Sequence, residues 1–134
     1  MPRVLFVCVH NAGRSQMAEA FVNALAARRN LPWSAQSAGT EGAGTLNPVV
    51  AEAMAEIGFP LDGHFPKRIE QAMVDAADHV VTMGCGVDAD RCPARILVSD
   101  DWGLDDPKGR PMDEVRAIRD AIRAKVETLL GGEA

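Results

Sequence analysis

Val4 to Val9 (VLFVCV) is an unbroken apolar run. It is followed at once by His10-Asn11-Ala12-Gly13-Arg14-Ser15 and then by a helical pattern. A strand with no polar alternation is buried on both faces, which happens in parallel sheets covered by helices on either side. From Gln16 to about Arg29, Met17, Phe21 and Leu25 recur four apart and so share one helical face. The chain therefore opens strand, loop, helix. A parallel sheet needs such helical crossovers, so all-α and all-β architectures are excluded.

The rest of the sequence repeats the alternation. Trp33 to Ser37 reads as a second strand and Ala38 to Leu46 as a loop with three glycines. Asn47-Pro48 reads as an N-cap with proline at the first helical position, and Gly58 as that helix's stop. Pro60 to Pro66 is irregular. A helix is expected from about Arg68 to Ala76, leading into a third strand at Val80 to Met83. Gly84 to Arg95 reads as a loop and Ile96 to Val98 as a short fourth strand. After the acidic loop Asp100 to Asp106, a long helix begins near Met112. Its expected buried stripe is Val115, Ile118, Ile122, Val126 and Leu129, and Gly131-Gly132 ends it. The expectation is an α/β fold: a three-layer α/β/α arrangement around a four-stranded parallel sheet, one domain over residues 1–134. Ligands in such sheets bind beyond the carboxyl ends of the strands, so the loops after Val9, Met83 and Val98 should meet.

Composition narrows the function classes. Fourteen basic and 19 acidic residues give a net charge of −5, a poor footprint for nucleic acid. No apolar run approaches the roughly 18–20 residues that span a bilayer, and no signal-peptide pattern opens the chain, so a cytoplasmic monomer away from membranes is expected. Three cysteines in such a chain argue against a disulfide framework and leave catalysis, redox exchange or packing. No G-x-x-x-x-G-K-[ST] occurs, and Gly42-Ala43-Gly44 lacks the third glycine of a dinucleotide fingerprint, so no cofactor is expected.

The chemistry concentrates in Cys8-Val9-His10-Asn11-Ala12-Gly13-Arg14-Ser15. A loop of this length between strand and helix can curl its backbone N–H groups inward and, with the helix N-terminus, form an anion nest. Arg14 adds a planar fork for two oxygens of a tetrahedral oxyanion. The same field favours thiolate at Cys8, and Ser15 is placed to donate to that sulfur. The alternative is a buried strand cysteine beside a surface arginine, which the strand–loop–helix context outweighs. Asp106-Pro107 follows the last strand and can reach the same place, where a carboxylic acid could protonate a leaving oxygen. Alone, Asp-Pro is more simply a turn.

Cys8 to Ser15, continued by Gln16-Met17-Ala18-Glu19-Ala20, resembles the signature of the low-molecular-weight tyrosine phosphatase fold, and Asp106-Pro107 resembles that family's general acid. The likeness covers nearly the whole chain. It departs at Lys108, where these phosphatases usually carry tyrosine. Cys85 and Cys92, seven apart after Val-Val-Thr-Met, are similar to the redox loop of the thioredoxin-coupled arsenate reductases that share this fold, as is Trp102 to Pro107. This resemblance implies arsenate as substrate, held by Val9 to Ser15. It also implies Cys8 as nucleophile, Arg14 as oxyanion clamp, Asp106 as general acid, Cys85 and Cys92 as resolving cysteines, and thioredoxin as reductant. A tyrosine phosphatase, or arsenate reduction with mycothiol as donor, stays open beside it. Zinc is not expected, because its sites show closer cysteine pairs and four ligands. Asn11 is expected to hold the loop's shape. Some relatives bind potassium near the loop, with Asn11, Glu19 and Ser37 at matching positions. Asp62 to Lys67 departs from that pattern, which speaks against the ion here. Lys67 and Arg68 read equally as substrate-steering charges or a solvated helix start. Trp33 and Trp102 read as partial core and His79 as structural.

Overall fold

The computed structural model describes residues 2–41, 44–83 and 100–131. The described elements run β1 (Arg3–Cys8), α1 (Arg14–Arg28), β2 (Ser34–Gly39), α2 (Pro48–Ala55), α3 (Gln71–Ala76), β3 (His79–Thr82), β4 (Asp100–Asp101) and α4 (Met112–Gly131). The strands form one four-stranded sheet in the order β2-β1-β3-β4, all pairs parallel. This is the three-layer α/β architecture expected from the strand–helix alternation. The expected loop Gly84 to Arg95 and strand Ile96 to Val98 lie outside the described residues.

β1 shows why its sequence has no polar alternation. Val4, Phe6 and Cys8 face one core with residues of α1, α2 and α4, among them Met17, Phe21, Val50, Met54, Ile122 and Val126. Leu5 and Val7 face a smaller core with Ala38, Ile69 and Val80, closed by Met73 and Val74 of α3. Phe6 and Phe21 are wholly buried, each contributing roughly 1.5–3 kcal/mol by removal from water.

Several boundaries differ from the sequence reading, each for a tertiary reason. β2 runs on to Gly39 because Ala38 and Gly39 pair with Val7 and Cys8 of β1. α3 starts at Gln71 rather than Arg68, because residues 67–69 add to the edge of β2. The Gly39 N–H donates to the Lys67 carbonyl at 2.7 Å and the Ile69 N–H to the Gly39 carbonyl at 2.9 Å. In α4 the buried stripe ends on Leu130, with Leu129 half-buried, and Arg119 is buried beside it. Trp33 and Trp102 are buried in the core rather than partly so, and His79 stacks on Trp33. Asn47 caps α2 as expected, its side chain accepting from the Val49 N–H at 3.0 Å, with Pro48 at the first position.

The strand order locates the site. From β1 the chain moves outward to β2, and from β3 it moves the opposite way to β4. The strand order thus reverses between β1 and β3, the place where sheets of this kind open a crevice at the carboxyl ends of their strands. Among the described residues, no helix is long and apolar enough to cross a membrane.

Candidate active site

A cleft of about 530 Å³ opens in that crevice. It is lined by Cys8 to Arg14, by Thr45 to Pro48 at the head of α2, and by Asp106 to Gly109. Cys8 ends β1 at its floor and is 4% exposed. Two donors converge on its sulfur. The Asn11 N–H donates to Sγ at 3.0 Å, and the Ser15 hydroxyl lies 2.9 Å away. Ser15 Oγ already accepts from Asn11 Nδ2 at 2.8 Å, so its own hydrogen is available to the sulfur. The first amides of α1 have no intrahelical acceptor, and a helix N-terminus favours an anion.

The loop takes this shape through Asn11, which is wholly buried and sits at φ +58°. Asparagine tolerates this left-handed region better than most residues. Its side chain is held from both ends. Oδ1 accepts from the Lys67 N–H at 2.8 Å and from Gln16 Nε2 at 2.9 Å, which leaves Nδ2 facing Ser15. Gln16 Nε2 also reaches the Asn11 carbonyl at 3.1 Å and the Phe65 carbonyl at 2.9 Å. The loop is tied on its flanks as well: the Thr40 and Glu41 amides donate to the Cys8 and Val9 carbonyls, and the Asn47 amide to the Ala12 carbonyl.

Arg14 is 7% exposed and shares its guanidinium between two loops. Nη1 donates to the Leu104 carbonyl at 2.6 Å and to the Met83 carbonyl at 3.2 Å. Nη2 lies 3.9 Å from Asp106 Oδ2. With Nη1 anchored, the Nε–Nη2 edge is the part of the fork left for an oxyanion. Asp106 is half-exposed. Its Oδ1 accepts from the Lys108 N–H at 3.0 Å, an Asx turn, and Arg110 Nε donates to its carbonyl at 2.8 Å. Pro107 packs against the oxyanion loop, its Cγ within 3.1 Å of where a Cβ on Gly13 would sit.

The structure thus brings Cys8, Val9, His10, Asn11, Ala12, Gly13, Arg14, Ser15 and Asp106 to one place. Cys85 and Cys92 lie outside the described residues. Lys67 and Arg68 are not among the residues that line the cleft. The Lys67 ammonium lies 3.7 Å from Glu19 Oε1, and the Arg68 main chain forms a parallel bridge with Gly39. Among the described residues no cluster of three or more His, Cys, Asp or Glu side chains is placed to hold a metal.

The family model for low molecular weight phosphotyrosine protein phosphatases matches residues 3–134. The chain belongs to this family. Arsenate reductase 1 of Staphylococcus epidermidis is 36% identical over 127 residues, covering 93% of this chain and 92% of that protein. A solved structure of an arsenate reductase in the phosphate binding state has a TM-score of 0.82 at 31% identity and covers 100% of both chains. The Corynebacterium glutamicum thioredoxin-dependent arsenate reductase is 33% identical with a TM-score of 0.75, covering 98% of this chain and 61% of that one.

Two parts of this phosphatase-fold site escape a reading of the sequence. Gly39 lies directly beneath the oxyanion loop: a Cβ there would sit 2.5 Å from the Val9 carbonyl and 3.0 Å from the Asn11 nitrogen. Its only sequence signal is a glycine at the exit of a strand, shared with other turns of the chain. The Gln16–His64–Glu19 network is the other. His64 Nδ1 faces two acceptors, Gln16 Oε1 at 2.9 Å and Glu19 Oε2 at 3.2 Å, so Nδ1 carries the proton. These residues are 48 and 45 apart in sequence, and no local pattern joins them.

Proposed function

We propose that this protein is an arsenate reductase working by a three-cysteine relay. The observation that carries the reading is the Cys8 sulfur at the floor of an oxyanion-sized loop, met by the Asn11 N–H and Ser15 hydroxyl, with Arg14 and Asp106 at the same cleft. Similarity to arsenate reductases over almost the whole chain supports the choice of arsenate over phosphate.

Arsenate enters the cleft with its oxygens on the loop amides and on the Nε–Nη2 edge of Arg14. The Cys8 thiolate attacks arsenic, forming an S–As(V) bond, while Asp106 gives its proton to the departing oxygen, which leaves as water. The Cys85 thiolate then attacks the Cys8 sulfur. The S–As bond breaks with its electron pair passing to arsenic, arsenite leaves, and a Cys8–Cys85 disulfide remains. Cys92 attacks Cys85, which frees Cys8 and leaves Cys85–Cys92. The dithiol of thioredoxin reduces that bond by exchange, so two electrons enter for each arsenate reduced. The roles of Cys85 and Cys92 rest on their spacing and on the resemblance to the thioredoxin-coupled enzymes.

Phosphate has the same tetrahedral shape, and the family is one of phosphatases, so slow hydrolysis of aryl phosphates is the second reading. The test is arsenate-dependent NADPH oxidation with thioredoxin and thioredoxin reductase, comparing wild type with Cys92→Ser. Continuous turnover by wild type and arrest of the variant after at most one cycle is the expected result. Activity only with mycothiol and mycoredoxin would change the donor. Silence with both donors together with rapid aryl phosphate hydrolysis would replace the reading with a phosphatase.

A further inference from the structure

Behind the oxyanion loop, on the side away from the cleft, Glu19 of α1 faces the segment Asp62 to Lys67. Its side chain is 13% exposed. Oε1 accepts from the Ser37 hydroxyl at 2.8 Å and faces Lys67 Nζ at 3.7 Å, and Oε2 faces His64 Nδ1 at 3.2 Å. The Lys67 ammonium also lies 5.5 Å from the Phe65 ring centre. Phe65 is the one large apolar side chain of the described residues that stands out in solvent, at 62% exposed. Its place beside the ammonium gives that exposure a reason, since an aromatic face attracts a cation.

Asn11, Glu19 and Ser37 resemble the positions at which some arsenate reductases of this type hold potassium. The residues present here do not fit that ion. A hard cation needs oxygen lone pairs. Both lone pairs of Asn11 Oδ1 are already taken by N–H groups, from Gln16 and from Lys67. The Glu19 carboxylate, the one anionic ligand of the set, already faces an ammonium and a histidine N–H. A second cation beside that ammonium would be repelled.

We infer that Lys67 is the tethered cation of this site: its ammonium neutralises Glu19 while its backbone N–H holds Asn11, so the oxyanion loop keeps its shape without an alkali ion. One residue thereby makes both contacts. The carboxylate is satisfied from the side chain and the left-handed asparagine from the main chain, and both sit on the α1 and loop backbone that position Ser15 and the Cys8 sulfur. Lys67 is a positioning residue, since it touches neither the cleft nor the sulfur. The inference extends beyond the arsenate reading and would hold equally for a phosphatase.

The test uses inorganic phosphate as the probe and does not depend on turnover. Phosphate affinity by calorimetry and the melting temperature are measured at equal ionic strength in potassium, sodium and choline chloride. For the wild type, both should agree across the three salts. Lys67→Met should bind phosphate about tenfold more weakly in choline chloride, the scale set by stripping the charge partner from a largely buried carboxylate. It should recover in potassium more than in sodium, because the vacated site again offers Glu19 and Ser37 oxygens. Lys67→Arg should restore salt independence, and it carries the test if the methionine variant does not fold: loss of phosphate affinity in Lys67→Arg that only potassium repairs would overturn the proposal. So would a potassium-specific gain in the wild type, an unchanged Lys67→Met, or an equal loss in all three salts. Failure of arsenate turnover would leave these readouts intact and would strike only the reductase reading.

Discussion

Glu19 and Glu56 are both carboxylates set among cationic partners, and the fold uses them differently. Glu56 follows α2 and reaches two arginines of α4: Arg116 grips it in two places, Nε to Oε1 at 2.7 Å and Nη2 to Oε2 at 3.0 Å, and Arg119 joins from a buried position while also donating to the Ala53 carbonyl. This cluster clamps two helices on the α1 face of the sheet, and none of its residues lines the cleft. Glu19 has a hydroxyl, a histidine and a lysine, with no fork among them, and backs the loop that follows the Cys8 sulfur. Rigid bidentate pairing suits a helix–helix staple, whereas Glu19 sits in a network whose other members reach the loop through Gln16 and Asn11. Charge pairing alone does not mark a functional site; what the paired group is bonded to next does.

The comparison can be broken from the loop side first. Asp106→Asn keeps the Asx turn to Lys108 and the packing of Pro107 on Gly13 but removes the transferable proton. Arsenate reduction should fall by about 10²–10⁴-fold with phosphate affinity retained, read by single-turnover kinetics and calorimetry. An oxyanion-binding module without turnover would show no change. Gly39→Ala should come next. The added Cβ would fall 2.5 Å from the Val9 carbonyl, so backbone must shift, costing about 1–3 kcal/mol and lowering phosphate affinity more than tenfold. Normal phosphate binding in that variant would mean the loop does not rest on β2.

The smallest effect belongs to the helix staple. Hydrogen bonds from Arg116 and then Arg119 hold the Glu56 carboxyl down from 4.5 to about 2. A group whose folded value is depressed contributes stability that is fully present above its unfolded value and lost as the pH falls through the folded one. Glu56→Gln should therefore lower the melting temperature at pH 7 and leave phosphate binding unchanged. The gap between wild type and variant should shrink from about pH 4.5 downward and close near pH 2. A gap that persists at pH 2, or a change in phosphate affinity, would blur the distinction between the two carboxylates.

Much of the site was legible because its parts are contiguous. Cys8 to Ser15 form one strand–loop–helix passage, and the donors to the sulfur come from within three and seven residues of it. Asp106-Pro107 was legible as a candidate because the alternation of strands and helices puts every strand's exit loop at the same edge. The Asn47 cap of α2 and the buried face of α4 followed from residue type and period, apart from its last position, where Leu130, four residues after Val126, is buried in place of Leu129. α3 starts at Gln71 rather than at the expected Arg68 because the main chain of Lys67 and Ile69 hydrogen-bonds to Gly39, a partner that no local propensity reveals.

By itself the sequence determined the parallel α/β class and marked the Cys8–Ser15 loop as the candidate site. These depend on short-range geometry: an apolar run too uniform for a half-exposed strand, a loop of fixed length, a helix start. Only the tertiary structure decided what supports that loop. Gly39 beneath it, Gln16 and His64 behind it, the Met83 and Leu104 carbonyls that fix one nitrogen of Arg14, and the Lys67 ammonium on Glu19 all act across chain separations set by strand order. A lysine, a glutamine or a glycine has the same local chemistry wherever it stands, and its role is fixed by which buried polar group folding brings within hydrogen-bond reach.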